Sequence, residues 1–437
     1  MYELEFYAML DGAYPYVPPT RERRSNFIDL PNRHFDPILG QRVIQDQIGQ
    51  LEFCEYLGFD GVLWSEQHSS PIGLQGNVLV GAAYLAARTS KIRLAAVGPL
   101  LNAYLTPLRL AEEAALVDLL SGGRLTLGLP MGIGAQYHGY GVMNPALARE
   151  RFLEAHALFV KALTEDGPFE WKGKYFHQPY VNLWCKPLQQ PYFPIFIPAA
   201  GSRESLALTA RYHYTYQAVL TPRKVLLGNC ERFLDLCRQE GYEADRRQIA
   251  AVIHVHVSET DGQARREAEA HLLWQYQNFF RSPFPDSFPF GHVSVESLRG
   301  MAAGAGYRSR PLESMQWDDL LAEGWLVAGS PDTVASRLRE LTEEMHAGRV
   351  ICTFNAGTMD RWLMNKSMTL FAEHVAPRFR PGGLPIWERE RAAGPTSVSE
   401  AAARVPPDAL MPMALKDGEY IDVRTAHLGD LRPGGER

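Results

Sequence analysis

The chain has 437 residues, 46% of them hydrophobic, which is enough apolar mass for a full buried core. Its formal net charge of -6 and its lack of any long lysine–arginine run argue against a nucleic-acid binder, and no uninterrupted apolar run is long enough to span a bilayer. Five scattered cysteines with no C-x-x-C pair argue against a disulfide scaffold and a structural zinc site, and fit reduced thiols in the cytoplasm.

The opening MYELEFYAML has neither the basic flank nor the apolar core of a leader, and residues 3–10 read as a first strand. Residues 11–37 form a long loop rich in proline and arginine, whose Tyr14 and Tyr16 either cover a pocket mouth or wrap the surface. Apolar positions at helical spacing predict a helix over 43–57, stopped by Gly58. The next strand, 62–65, ends in Glu66-Gln67-His68, a polar group at a strand's carboxyl end that suits acid–base or orienting work. A short helix covers 79–87.

A strand over 92–97 stops at Gly98-Pro99. Pro107 opens a helix, where its missing N–H costs nothing, and Ser121-Gly122-Gly123 closes it. The following strand, 125–129, runs into Met131-Gly132-Ile133-Gly134. Two glycine-rich loops at the carboxyl ends of neighbouring parallel strands are where such folds hold ligands. A polar aromatic loop with Tyr137 and His138 leads to a helix over 148–163. Arg149 in its first turn opposes the helix dipole and makes sense if it serves an anion.

Residues 169–176 read as a tight hairpin around Lys172-Gly173, and 195–198 as a strand. Gly201 and Ser202 then lead into a helix at Ser205, an arrangement that offers free N–H groups to an anion or plain capping. Strands at 215–220 and 249–257 alternate with helices at 225–240 and 261–280. His254 and His256 alternate within AVIHVHVS and share one face, as a metal pair or, in preference, a polar pair lining a barrel mouth. The pattern restarts at Val327, with a helix over 334–345, a strand over 349–354 and a last helix over 365–375. The rhythm predicts one α/β domain, an eightfold TIM-type (β/α) barrel over 1–380 with an insertion or lid at 282–311; an extended C-terminal tail occupies 381–437.

Seven fragments in colinear order resemble the bacterial-luciferase-like, flavin-dependent monooxygenases. They are GFDGVLWSEQH, the block from TSKIRL to LSGGRLTLG, MGIGAQYHGYGV with RERFLEA, FEWKGKYF, IPAAGSRES, VAGSPDTV and SMTLFAEHVAP. The resemblance implies the same eightfold barrel, with FMN lying across the carboxyl ends of its strands. It assigns Arg149, Gly201, Ser202 and Ser205 to the flavin phosphate, Met131 and Ile133 to the flavin-side loop, and counts Asn102 among the cofactor residues. Gly98-Pro99 matches the place where the family bends a strand under the flavin ring, often through a cis peptide. Glu66-Gln67-His68 matches a Glu-His-His, so imidazole chemistry falls to His68, with Tyr137 and His138 in reserve.

No glycine-rich dinucleotide fingerprint is present, so reduced FMN is expected from a separate flavin reductase, to react with O2 and oxygenate a small, apolar or aromatic metabolite. One alternative keeps the fold and exchanges FMN for a deazaflavin in hydride transfer. The other is a non-catalytic flavin-binding subunit, which the retained polar strand-end residues argue against. The resemblance also implies a homodimer packed through the early helices.

Overall fold

A computed structural model describes residues 2–18, 29–134, 136, 144–219, 221–279, 289, 291, 294–295 and 312–380. Eight parallel strands close into a ring. In ring order they are β1 (Glu5–Met9), β2 (Gly61–Ser65), β3 (Arg93–Val97), β4 (Leu125–Gly128), β7 (Ile195–Ala199), β8 (Thr215–Ala218), β9 (Ile249–Val257) and β11 (Arg349–Thr353), which returns to β1. The expected TIM-type barrel is therefore present. Between β4 and β7 stands an antiparallel hairpin, β5 (Phe169–Lys172) and β6 (His177–Val181), with a register shift between Phe169 and Trp171.

Ten helices are used below. They are α1 (Pro37–Tyr56), α2 (Val78–Arg88), α3 (Pro107–Ser121), α4 (Ala148–Thr164), α5 (Arg203–Arg211), α6 (Arg223–Gln239), α7 (Asp261–Asn278), α8 (Trp317–Ala322), α9 (Pro331–Glu344) and α10 (Arg361–Leu370). α1 starts earlier than the apolar spacing predicts, because the Asp36 carboxylate caps the N–H groups of Ile38 and Leu39 and Pro37 occupies the first position. α3 begins at Pro107 and ends on Gly122 at φ +68°, as its sequence predicts. α8 was not anticipated. The last helix ends at Leu370 and passes into a π turn, Phe371–Val375.

The strand read at Val327, β10 (Leu326–Gly329), is not a ring member. It pairs only with the carboxyl half of β9, from Leu326 opposite His254 to Gly329 opposite Val257. Residues 381–437 and nearly all of 282–311 lie outside the described residues, so the expected tail and lid do too.

Alternation along the strands sorts the core into two layers. Phe6 and Ala8 face outward into the main core beneath the helices, whereas Tyr7, Leu63, Ala95, Phe196, Ala250 and Ile351 fill the lumen. The amino end of the lumen is sealed by charge. Glu5 Oε2 accepts from Arg349 Nε at 2.5 Å, and Arg349 Nη1 donates to Thr215 Oγ1 at 2.7 Å. Burial alone would raise the Glu5 carboxyl, but the guanidinium groups of Arg349 and Arg93 outweigh it and hold it below the usual range.

A second buried ion pair fastens the end of the described chain. Arg380 Nη2 lies 2.5 Å from Asp60 Oδ2, which also accepts from Phe6 N at 2.7 Å, and the two side chains are 5% and 2% exposed. Arg380→Met is expected to destabilise the fold by roughly 3–5 kcal/mol, since it strands the Asp60 carboxylate without its cation. Urea unfolding measures this; a loss under about 1 kcal/mol would show that the pair is dispensable.

Candidate active site

Following the lumen register upward leads from Tyr7 and Met9 to Asp11, from Leu63 to Ser65 and Gln67, and from Ile351 to Thr353 and Asn355. These side chains form a polar arc across three neighbouring strand ends. Ser65 donates twice to Asp11, from N to Oδ1 at 2.7 Å and from Oγ to Oδ2 at 2.8 Å. Asn355 Nδ2 donates to the Asp11 carbonyl at 2.7 Å, and Gln67 Nε2 to Ser65 Oγ at 2.8 Å. Behind the arc, Gln47 of α1 donates to the Leu10 carbonyl at 2.6 Å and accepts from Gln75 at 3.0 Å. Burial pushes the Asp11 carboxyl up to about 6 against the pull of the two Ser65 donors. Asp11, Ser65 and Asn355 were not singled out in the sequence. The available signal is a polar side chain two or four positions beyond the last lumen residue of each strand.

Glu66 and His68 form a pair beside this arc. His68 Nε2 lies 2.9 Å from Glu66 Oε1, while Glu66 Oε2 accepts from Val78 N, at the start of α2, at 3.2 Å. Glu66 is 6% and His68 11% exposed, so the carboxylate fixes the imidazole at the rim.

The strand bend beside Glu66 is made by glycine and not by a cis proline. Gly98 sits at φ +128°, and a Cβ there would stand 2.6 Å from Glu66 Cβ and 2.7 Å from Glu66 N. The cis peptides among the described residues are Gly167-Pro168 and Gln190-Pro191, so the expected cis bond at Gly98-Pro99 is trans. A backbone conformation open to glycine removes the need for an isomer that proline would tolerate.

On the β3–β4 side, Asn102 is fully buried. Its Nδ2 points to the carbonyls of Met131 at 3.5 Å and Ala148 at 3.4 Å, thereby joining the Met131 loop to the start of α4. Ile133 N donates to Gln136 Oε1 at 3.0 Å. The buried oxygens Asn102 Oδ1, Gln217 Oε1 and Asn355 Oδ1 take no hydrogen bond among the described residues, and unmet polar atoms of this kind at a rim call for a ligand or water.

Ser202 caps α5, its Oγ accepting from Ser205 N at 3.3 Å and donating to Ser205 Oγ at 2.8 Å. Gly201, at φ +101°, lies so close to Asn229 that a Cβ would stand 1.9 Å from its Nδ2. Arg149 Nη1 stands 4.0 Å from Glu204 Oε2 in the first turn of α5, so the structure brings Arg149 to the helix end that carries Ser202 and Ser205. Burial lowers the Arg149 pKa, with the Glu204 charge opposing.

Tyr137 and His138 lie outside the described residues. His254 and His256 do share a face, but they turn to α7 and do not form a free pair at the mouth. His254 packs edge-on to Tyr276, and burial pushes it down to about 4. His256 Nε2 is 3.1 Å from Glu267 Oε2, in an ion cluster that Lys366 completes at 2.7 Å from Glu267 and 2.6 Å from Glu259. Among the described residues no group of three or more His, Cys, Asp or Glu side chains could hold a metal ion.

Comparison with known proteins places this barrel. The family model for luciferase-like monooxygenase matches residues 27–347. The 4-hydroxyprotoasukamycin monooxygenase of Streptomyces nodosus subsp. asukaensis is 26% identical over 340 residues, covering 75% of this chain and 86% of that protein. The oxygenase component of the flavin-dependent trigonelline monooxygenase of Acinetobacter baylyi is 27% identical over 255 residues, 54% of this chain and 66% of its own length. Among solved structures, the oxygenating constituent of 3,6-diketocamphane monooxygenase from Pseudomonas putida, a type II Baeyer–Villiger enzyme in complex with FMN, superposes with a TM-score of 0.63. It is 18% identical, and the match covers 86% of this chain and 99% of that one, a likeness of fold. With the family model spanning most of its length, the chain belongs to the luciferase-like monooxygenases and is, by class, a flavin-dependent monooxygenase.

Proposed function

We propose that this chain is the oxygenase component of a two-component system, taking reduced FMN from a separate flavin reductase and oxygenating a small organic metabolite at the barrel rim. The observation that carries this reading is Arg149. It is 24% exposed, and among the described residues its guanidinium makes no hydrogen bond, yet it faces the capped end of α5. Five fixed N–H donors without an acceptor beside a helix N-terminus suit a phosphate dianion.

The residues present fit FMN. Arg149, Gly201, Ser202 and Ser205 would hold the phosphate. Gly98, Pro99, Met131 and Ile133 would bed the ring, since the glycine lets backbone approach a flat ligand closely. Asn102 Oδ1 is an acceptor still to be matched by a donor. When bound, reduced FMN supplies the electrons that activate O2. The chain's own residues orient the substrate, exclude water and handle protons. His68, held by Glu66, is the group that donates and recovers a proton, with Gln67 as a neutral hydrogen-bonding neighbour. Asp11 is a second proton-handling carboxyl on the substrate side of the rim.

His68→Ala is expected to keep the fold and bind FMN, yet to lose roughly 10²–10⁴-fold in product formation with reduced FMN and O2 while releasing more hydrogen peroxide. Product yield and peroxide leakage equal to the parent would reduce His68 to a structural role. Turnover with a reduced deazaflavin in place of FMN, without oxygen uptake, would overturn the oxygenase reading in favour of hydride transfer.

Asp11 makes stability depend on pH. Below about pH 4 its carboxyl is protonated in folded and unfolded chains alike. Between there and about 6 only the unfolded chain gives up the proton, so folding stability falls as pH rises through this window and stays lower above it. Asp11→Asn should therefore raise the melting temperature at pH 7.5 and leave it unchanged near pH 4. Equal shifts at both pH values would show that the effect does not come from the charge.

We place the protein in the cytoplasm as a homodimer. Five free cysteines, four of them buried, suit a reducing compartment, and among the described residues no helix is long and apolar enough to cross a membrane. The exposed apolar side chains Val80 and Tyr84 of α2 and Leu116, Leu119 and Leu120 of α3 suit a partner copy. Sedimentation should give the dimer mass, and Leu116→Glu with Leu120→Glu should shift it to the monomer; a monomeric parent protein would overturn the assignment.

A further inference from the structure

Glu204 carries one more inference, which rests on the phosphate seat proposed above. Its Oε2 atom is buried, accepts no hydrogen bond from the described residues, and lies 4.0 Å from Arg149 Nη1. At contact distance a carboxylate would take up the guanidinium fork in a bidentate pair. At 4.0 Å it balances the charge and leaves the donors unspent. The same carboxylate lies in the first turn of α5, beside Ser202 and Ser205, where the flavin phosphate would bind. An incoming phosphate therefore gains Arg149 but meets Glu204 as a like charge.

We propose that Glu204 competes with the flavin phosphate for Arg149 and so sets the affinity for FMN low. Low affinity suits an oxygenase that receives its flavin from a second protein and returns it on every cycle. Glu204 is thus a positioning residue that acts through Arg149. It also makes the phosphate seat discriminate by charge: a ligand without the phosphate has no stake in the competition.

The test is a fluorescence titration of the full-length apoprotein with FMN and, separately, with riboflavin. It uses the parent, Glu204→Gln, Arg149→Ala and the double variant, with circular dichroism to establish that each is folded. Glu204→Gln should bind FMN about tenfold tighter, the scale of one partly screened charge contact, and riboflavin within about twofold of the parent. In the Arg149→Ala background the gain for FMN should shrink to about threefold or less, the part that direct repulsion between Glu204 and the phosphate supplies, as a double-mutant cycle demands of coupled groups. Glu204→Ala should act in the same direction as Glu204→Gln, because both remove the charge. Unchanged or weaker FMN binding in Glu204→Gln, an equal gain for riboflavin, or an equal gain without Arg149 would each overturn the proposal. A parent that binds FMN no better than riboflavin, together with an Arg149→Ala variant that binds FMN as the parent does, would remove the phosphate seat itself and the proposal with it.

Discussion

The packed lumen dictates where chemistry can occur. Tyr7, Leu63, Ala95, Phe196, Ala250 and Ile351 pack together inside the ring, and the Glu5–Arg349 pair closes its amino end. A buried ion pair of this kind adds little net stability against an apolar substitute, but losing one partner is costly, so it holds the floor in place. Every side chain in lumen register beyond this plug is delivered to the carboxyl rim, and so Asp11, Ser65, Gln67 and Asn355 meet there although they come from opposite ends of the chain.

The rim is electrically divided. One arc, from β11 through β1 to β2, offers acceptors and carboxyls in Asn355, Asp11 and Glu66. The other, at the first turns of α4 and α5, offers the Arg149 guanidinium and helix N–H groups. In the proposed reading FMN would lie across this rim with its phosphate toward Arg149 and its ring toward the glycine bend at Gly98. The Asp11 carboxyl, raised by burial, is held against its own preference by Ser65. Stability given up at one buried carboxyl is the usual companion of a site poised to move protons.

The barrel was legible because its evidence is local. Pro107 and Gly122 bound α3 by backbone chemistry that needs no partner, and the alternation of strand and helix follows from apolar spacing. Contacts across the sequence were not legible. Asp11 bonds Ser65 from 54 residues away and Asn355 from 344, separations at which no periodicity carries information. The resemblance places the bend after β3 at Gly98-Pro99 with a cis bond; the bend is there, but its constraint is the missing Cβ of Gly98 against Glu66. The alternation of His254 and His256 puts them on one face, but only packing against α7 shows that this face is spent on Tyr276 and Glu267. The segment that follows residue 312 is harder still to read, whereas the helix before it matches its sequence pattern. α8 has six residues and so little spacing to read, and β10 imitates a ring strand without joining the ring.

The first turn of α4 explains why Arg149 stays available. Three charged residues in a row, Arg149, Glu150 and Arg151, begin a helix whose dipole disfavours cations there. Two of them are consumed by structure. Glu150 takes Lys174 Nζ at 2.9 Å and the Tyr175 hydroxyl at 2.8 Å. Arg151 donates to the carbonyls of Asn102 at 2.7 Å and Tyr104 at 3.2 Å and lies over the Phe176 ring. One turn on, buried Glu154 accepts from Tyr175 N and Phe176 N, both at 2.9 Å. The β5–β6 hairpin therefore braces this turn through three side chains, and Gly173 is needed at its tip because a Cβ there would collide with the Glu154 carboxylate. Anchored through Glu150, Arg151 and Glu154, which follow Arg149, the helix start cannot relax to relieve the unfavourable cation. The remaining relief is an anion brought to it, from Glu204 at a distance or from a phosphate at contact.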